Sequence, residues 1–285
     1  MMNTPNNHKL TSKTPSLVAC IRAFTILFFS ATILNGAEYT DIIEKTFPIS
    51  KGGILKTVLV DADIDVSSHD KQEIYVHITQ KVKGKSEEEA QEIFAKHMIE
   101  FESQSISTKR EDKKSGLWRF RSGSMQVEFK IRVPREINAQ LRTVDGDVSL
   151  AGVEGDVDIN SVEGDLDVKD VAGELTLKTV DGDLMLREIQ GSIQGKTVDG
   201  DVEIELVGQP NADSEIESID GDIELTLTDN VGVTIDAHVS DGDIDIPFDA
   251  ESIKKRGDSI HIIASANGGG PIISLLTKDG DITAR

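Results

Sequence analysis

Apolar and polar residues alternate in short bursts through the second half of the chain. In Val144-Asp145-Gly146-Asp147-Val148-Ser149-Leu150, positions 144, 148 and 150 are apolar and 145, 147 and 149 are polar or charged. That period of two is the mark of a half-buried β-strand. The burst returns every nine residues, each time around a glycine: Gly146, Gly155, Gly164, Gly173, Gly182, Gly191 and Gly200. Because nine is odd, strict alternation would swap the faces from one unit to the next, yet Val153, Val157 and Ile159 again fill the apolar slots. A corner is therefore expected between units, at small or polar pairs such as Ala151-Gly152 and Lys169-Asp170.

Alternate units are closer kin. Thr143-Val144-Asp145-Gly146-Asp147 returns as Ser161-Val162-Glu163-Gly164-Asp165, Thr179-Val180-Asp181-Gly182-Asp183 and Thr197-Val198-Asp199-Gly200-Asp201, so the true period is 18. Looser units lie between them, such as Val153-Glu154-Gly155-Asp156. The pattern predicts an all-β, right-handed β-solenoid with about 18 residues and two strands per coil. After Gly200 the strong glycines are Gly221, Gly242 and Gly280, at steps of 21, 21 and 38 residues. A stack absorbs such insertions as corner bulges, here expected at 211–214 and 267–271. The competing arrangement is an antiparallel meander or sandwich, because Asp-Gly between alternating residues is also a hairpin signal. A constant nine and a doubled eighteen favour stacking.

The segment 38–142 reads differently. Ile54 to Val66 and Glu73 to Ile78 have strand character, so the solenoid is expected to begin there in degenerate form. A helix over 86–102 is predicted from the Ser86/Glu89 capping box and from Ala90, Ile93, Phe94, Met98 and Phe101 at helical spacing. Leu117–Phe120 and Met125–Val133 read as two strands joined at Ser122-Gly123-Ser124, with Trp118 in their core and Pro134 closing them. The acidic repeat solenoid then occupies 143–285.

Before all of this, residues 1–37 read as a secretory signal. Lys9, Lys13 and Arg22 precede the apolar run from Ala23 to Leu34, and Asn35-Gly36-Ala37 follows. The run is shorter than the ~20 residues needed to cross a bilayer, so no membrane span is expected after cleavage near Ala37. Cleavage would also remove Cys20, the one cysteine. An extracytoplasmic location follows, in periplasm, at the cell surface or secreted.

Charge separates the two parts of the mature chain. Residues 38–142 hold 18 acids and 18 bases, whereas 143–285 hold 33 Asp and Glu against 9 Lys and Arg. That field repels phosphate backbones, which excludes nucleic acid as a partner. Stacking at the 18-residue period puts Asp145, Glu163, Asp181 and Asp199 in one file and Asp147, Asp165, Asp183 and Asp201 in a second. Neighbours ~4.8 Å apart along the axis repel by about 0.9 kcal/mol per pair even in water. Calcium, which takes oxygen ligands from several carboxylates, would relieve that repulsion, so these eight residues are the candidate metal ligands. The alternative is that the acids only keep a regular stack soluble. No catalytic residue and no other cofactor is indicated. His69, His77, His97, His238 and His261 are scattered, and no carboxylate pair in the ladder differs from the rest.

The succession of signal, opening strand Gly52-Gly53-Ile54-Leu55, Glu-rich helix, Val133-Pro134 hinge and Thr-Val-Asp-Gly-Asp coils resembles the bacterial putative-adhesin family, also called the toastrack β-solenoid domain. The resemblance implies an extracytoplasmic β-solenoid of the cell envelope without shared catalytic residues. It also implies adhesion or envelope-stress sensing as the role, the latter beside a membrane protein. The expected function is thus a non-enzymatic structural or binding module, with envelope proteins or glycans as partners. A calcium-dependent binder of anionic glycans or phosphates is the cation-linked variant. Finally, Asp281-Ile282-Thr283-Ala284-Arg285 reads as an uncapped last strand, an edge at which copies would self-associate.

Overall fold

The computed structural model describes residues 30–32, 37–84, 86–102, 104–110 and 125–285. In chain order the first elements are β1 (Ser30–Thr32), β2 (Ala37–Pro48), β3 (Ile54–Val58), β4 (Asp63–His69), β5 (Glu73–Gly84), α1 (Glu87–Lys96), β6 (His97–Glu102), β7 (Ser105–Arg110) and β8 (Met125–Pro134). The regular coils follow: β9 (Asn138–Arg142), β10 (Val148–Glu154), β11 (Val157–Asn160), β12 (Leu166–Ala172), β13 (Leu175–Lys178), β14 (Leu184–Gln190), β15 (Ile193–Lys196), β16 (Val202–Leu206), β17 (Ser214–Asp220) and β18 (Ile223–Leu227). The last are β19 (Val233–Asp241), β20 (Ile244–Asp245), β21 (Asp249–Arg256), β22 (Ser259–Ala266), β23 (Ile272–Asp279) and β24 (Ile282–Ala284).

Each coil gives one strand to each of two twelve-stranded sheets. Sheet A runs β1-β2-β5-β8-β4-β10-β12-β14-β16-β18-β24-β20, and sheet B runs β21-β22-β19-β23-β17-β15-β13-β11-β9-β3-β7-β6. Equivalent residues stack one coil apart: Val148 on Leu166, Leu166 on Leu184 and Leu184 on Val202. Val157, Leu175 and Ile193 do the same in sheet B. These columns face each other across one continuous buried core that runs the length of the stack. The regular ladders are all parallel, so their Asp-Gly steps carry the chain from sheet to sheet. They do not close hairpins, which removes the meander as the organising arrangement.

Two details of the repeat differ from expectation. The corners sit at the glycines themselves, not at Ala151-Gly152 or Lys169-Asp170, which lie inside β10 and β12. At this point of the coils holding β10, β12 and β14 the backbone takes a positive φ, at Gly152 (76°), Asp170 (49°) and Glu188 (56°). The kink absorbs one residue, so Leu150 and Val153 both turn inward despite their odd separation. Val144 is also not an inward residue: Thr143 beneath it is buried and Val144 projects to solvent.

The helix is shorter than the capping box and apolar spacing suggest. Ser86 does cap it, its hydroxyl accepting the Glu89 N–H, but α1 stops at Lys96 and His97 is extended. Met98 and Phe101 belong to β6, which pairs antiparallel with β7. Phe101 packs on Phe47, with Lys45 Nζ 4.0 Å from its ring centre. Spacings of three and four are shared by a helical stripe and by a helix followed by an alternating strand, so pattern alone overran the boundary. Leu117–Phe120, Trp118 and the Ser122–Ser124 turn lie outside the described residues, as does the predicted signal apart from β1 and Ala37.

Both ends of the stack depart from chain order. The β3–β4 coil lies between β7–β8 on its outer side and β9–β10 on its inner side. At the other end, the β23–β24 coil lies between β17–β18 and β19–β20. Strand β24 is therefore not an edge. It is paired in parallel with β18 and β20, and the Arg285 backbone bonds Leu225 and Leu227. Edge exposure belongs instead to β20 and β21, because the chain turns back through the antiparallel β21–β22 pair before adding its last coil inside the stack.

Candidate functional site

The Thr-Val-Asp-Gly-Asp corner is where the sequence concentrates its chemistry, and each of its five positions has a distinct structural task. Thr143, Ser161, Thr179, Thr197, Ser218 and Thr277 are buried. Most of these hydroxyls donate to the glycine carbonyl one coil away, as in Thr197 to Gly182 at 3.1 Å, Ser218 to Gly200 at 3.1 Å and Thr277 to Gly221 at 2.9 Å. Ser161 instead donates to Glu163 O at 2.9 Å. Satisfying these carbonyls matters because a buried polar group without a partner costs ~1–3 kcal/mol.

The glycine position tolerates nothing larger. Gly164 and Gly182 have φ of 122° and 151°, and a Cβ there would lie 2.4 and 2.2 Å from the glycine carbonyl oxygen of the coil before. The glycines stack in direct backbone contact, which is the close approach that only a missing side chain allows.

The aspartate after each glycine forms a continuous ladder. Asp165 N–H donates to Asp147 Oδ1 at 3.0 Å, Asp183 N–H to Asp165 at 2.9 Å and Asp201 N–H to Asp183 at 2.8 Å. The ladder runs past the predicted four in both directions. It begins at Asp63, which accepts the Asp147 N–H, and continues through Asp222, Asp281 and Asp243. Asp281 precedes Asp243 because the file follows the spatial order of the coils. Each carboxylate from Asp63 through to Asp281 thus binds a backbone N–H at the bend, a charge-assisted bond that offsets repulsion along the file.

Asp145, Glu163, Asp181 and Asp199 form the other predicted file, one bridge apart in parallel and exposed. All eight candidate ligands therefore line one edge of the stack. Among the described residues, no three of His, Cys, Asp and Glu are grouped to hold a metal ion.

Beside the Asp145 file runs a feature that strict alternation does not reveal. Val60, Val144, Val162, Val180 and Ile219 are between 36% and 47% exposed, with Val198 half-buried in line with them. Together they make a ridge of β-branched side chains along the corner, bordered by carboxylates. The signal was present as the Val or Ile at the second position of the strong units from Val144 to Ile219, a position that Ser240 and Lys278 occupy in the last two.

Other polar clusters are local. Tyr75 donates to Glu44 Oε1 at 2.8 Å and His77 Nδ1 lies 3.1 Å from the same oxygen, which holds the Glu44 carboxyl below its ordinary range. On the outer face of sheet B, His238 and His261 face each other with ring centres 5.7 Å apart. His261 Nε2 is 2.6 Å from Asp236 and His238 Nε2 is 3.1 Å from Ser259. Antiparallel pairing of β19 with β22 brings these residues together, a contact that linear spacing does not reveal. Serine and aspartate engage different imidazoles, so this is not the relay in which one histidine links a nucleophile to its orienting acid. A shallow depression of about 220 Å³ on sheet B is lined by Asn138, Gln140, Asp156, Asp158, Glu174 and Thr176 among others. It is smaller than the ~300 Å³ at which small-molecule pockets begin.

The family description Toastrack DUF4097 matches residues 67–285. No curated protein matches the chain. Among solved structures, the chain is similar to a "putative adhesin" from Bacteroides fragilis, at 13% identity and a TM-score of 0.40 over 86% of this chain and 97% of the other. It is also similar to a "putative cell adhesion protein" from Clostridium sporogenes, at 14% identity and 0.33 over 85% and 97%. A "putative lipid binding protein" from Parabacteroides distasonis matches at 14% identity and 0.36 over 86% and 97%.

Proposed function

The chain belongs to the Toastrack DUF4097 family, and on that premise we propose that it is an exported, non-enzymatic binding module of the bacterial cell envelope whose contact surface is the corner ridge. The observation that carries this reading is the file of exposed Val60, Val144, Val162, Val180 and Ile219 beside a file of carboxylates. Water-exposed apolar side chains in a continuous row mark interaction surfaces. Rigid stacking holds the row at ~4.8 Å spacing, so an extended partner would meet it without ordering cost on this side. No described helix is long and apolar enough to cross a membrane, and export rests on the basic and apolar pattern of residues 1–37.

The test is saturable binding of labelled protein to envelope preparations of the producing bacterium. A variant carrying Val144→Asp, Val162→Asp and Val180→Asp is expected to lose binding at least tenfold while its melting temperature changes little. Binding that survives this change would remove the ridge as the surface, and the absence of saturable binding would remove the module reading.

The acid files favour a second reading, in which calcium bridges Asp145, Glu163, Asp181 and Asp199 to an anionic glycan or phosphate. It predicts that chelation abolishes attachment and that magnesium does not restore it.

A further inference from the structure

The outermost strand of sheet B at the β23–β24 end is β21, hydrogen-bonded to β22 alone. It is eight residues long, and every residue except the half-buried Ser252 is exposed. Proteins usually blunt such an edge by shortening it or covering it. At this end sheet A does so, since its outermost strand β20 has only two residues. Near the opposite end, α1 packs Ala90 against Tyr39 and Val82. No described helix lies over β21.

The charge order of β21 is polarised. Asp249 and Glu251 fill its first half and Lys254, Lys255 and Arg256 its second. Between them stands Ile253, 66% exposed and opposite Ile262 of β22. The three cations are a third of the nine in the whole acidic half. Lysines alone on an edge would repel a second strand. With acids at the other end of the same strand, the repulsion acts only on a parallel copy, where like charges face each other. Antiparallel self-pairing brings the acids of each copy alongside the bases of the other and sets the two Ile253 side chains near the twofold axis.

We propose that β21 is a dimerisation edge: a second copy of this chain adds its own β21 antiparallel, joining the two B sheets across a twofold axis. The interface is isologous, so it closes at two copies. Its main-chain bonds are those of strand addition, its orientation is set by charge, and Ile253 provides the apolar centre. This inference is independent of the ridge, which lies along the corner.

Sedimentation equilibrium of the purified protein tests it, with the expected mass of two chains at low salt and weaker association as salt rises. Lys254→Glu/Lys255→Glu/Arg256→Glu makes the edge wholly acidic, and Asp249→Lys/Glu251→Lys makes it wholly basic. Each variant alone is expected to dissociate at least tenfold more readily. Mixed in equal amounts, they are expected to recover a one-to-one dimer, which general misfolding would not produce. A second readout needs no charge change: Ile253→Cys is expected to form a disulfide-linked dimer under mild oxidation. A monomeric wild-type protein, a triple variant that stays dimeric, failure of the mixture to pair, or absence of the disulfide would each overturn the proposal.

Discussion

The central coils and the two ends of the stack are built from the same residue types but obey different rules. From β9 to β15 each paired side chain meets its equivalent one coil away, so a single choice of residue is made once and repeated. At the ends, strands run antiparallel and coils are added out of chain order. Repetition makes each central interaction cooperative with its neighbours above and below. The ends are made of single contacts such as Phe47 with Phe101 or His238 with His261, whose loss has no echo.

The sharpest way to break this contrast is at glycine. Gly164→Val in the centre is expected to cost about 3 kcal/mol or more, since the new side chain meets a backbone carbonyl that cannot move without its neighbours. Gly257→Ala, in the β21–β22 turn, has a positive φ but open space around it, and is expected to cost about 1 kcal/mol. Equal losses in thermal unfolding would contradict the division.

Next in size is the aspartate ladder. Asp183→Ala removes the acceptor of the exposed Asp201 N–H, leaving it to water, and is expected to cost about 0.5–1.5 kcal/mol. Asp183→Asn keeps an acceptor oxygen and should recover much of that loss, whereas exposed Asp258→Ala near the stack end should change little. If Ala and Asn behave alike at 183, the carboxylate acts through charge and not as an acceptor.

Divalent ions come third. Equal, small rises in melting temperature with calcium and magnesium would mean screening of the acid files. A rise specific to calcium would mean that ligand binding stabilises the folded state.

The smallest effect is expected at Asp41 in β2, near the α1 end. Burial raises its folded pKa, opposed by a bond from the Ile42 backbone, and its Oδ1 has no hydrogen-bond partner among the described residues. A raised folded pKa favours the native state below the unfolded value of ~3.9, and that contribution is lost as pH rises through the folded value. Asp41→Asn should therefore raise the melting temperature slightly at neutral pH, with the gain disappearing in acid. A gain that grows on acidification would refute the assignment.

How much of this was legible in the residues depends on how local the cause was. Period, parallel stacking and the columns Val148-Leu166-Leu184 follow from spacing alone. Val144 did not, because alternation assumes a straight strand, and the positive φ at Gly146 bends the chain between Val144 and Val148. The kink at 152, 170 and 188 escaped for a similar reason: Gly, Asp and Glu share a backbone state there but no residue type. The role of the Asp147 file as backbone acceptor was hidden behind its charge, which suggested ions before N–H groups. The placement of β24 and the meeting of His238 with His261 depend on how distant segments pack, and no window of sequence contains that information.

The position of the β23–β24 coil also sets an order in time. A ribosome or a translocation pore releases β19 to β22 before β23 and β24, yet the later pair must occupy the slot between β17–β18 and β19–β20. Growth of the stack coil by coil in the direction of synthesis therefore halts at β18. The outer hairpin has to wait undocked until the final segment emerges and closes the gap behind it.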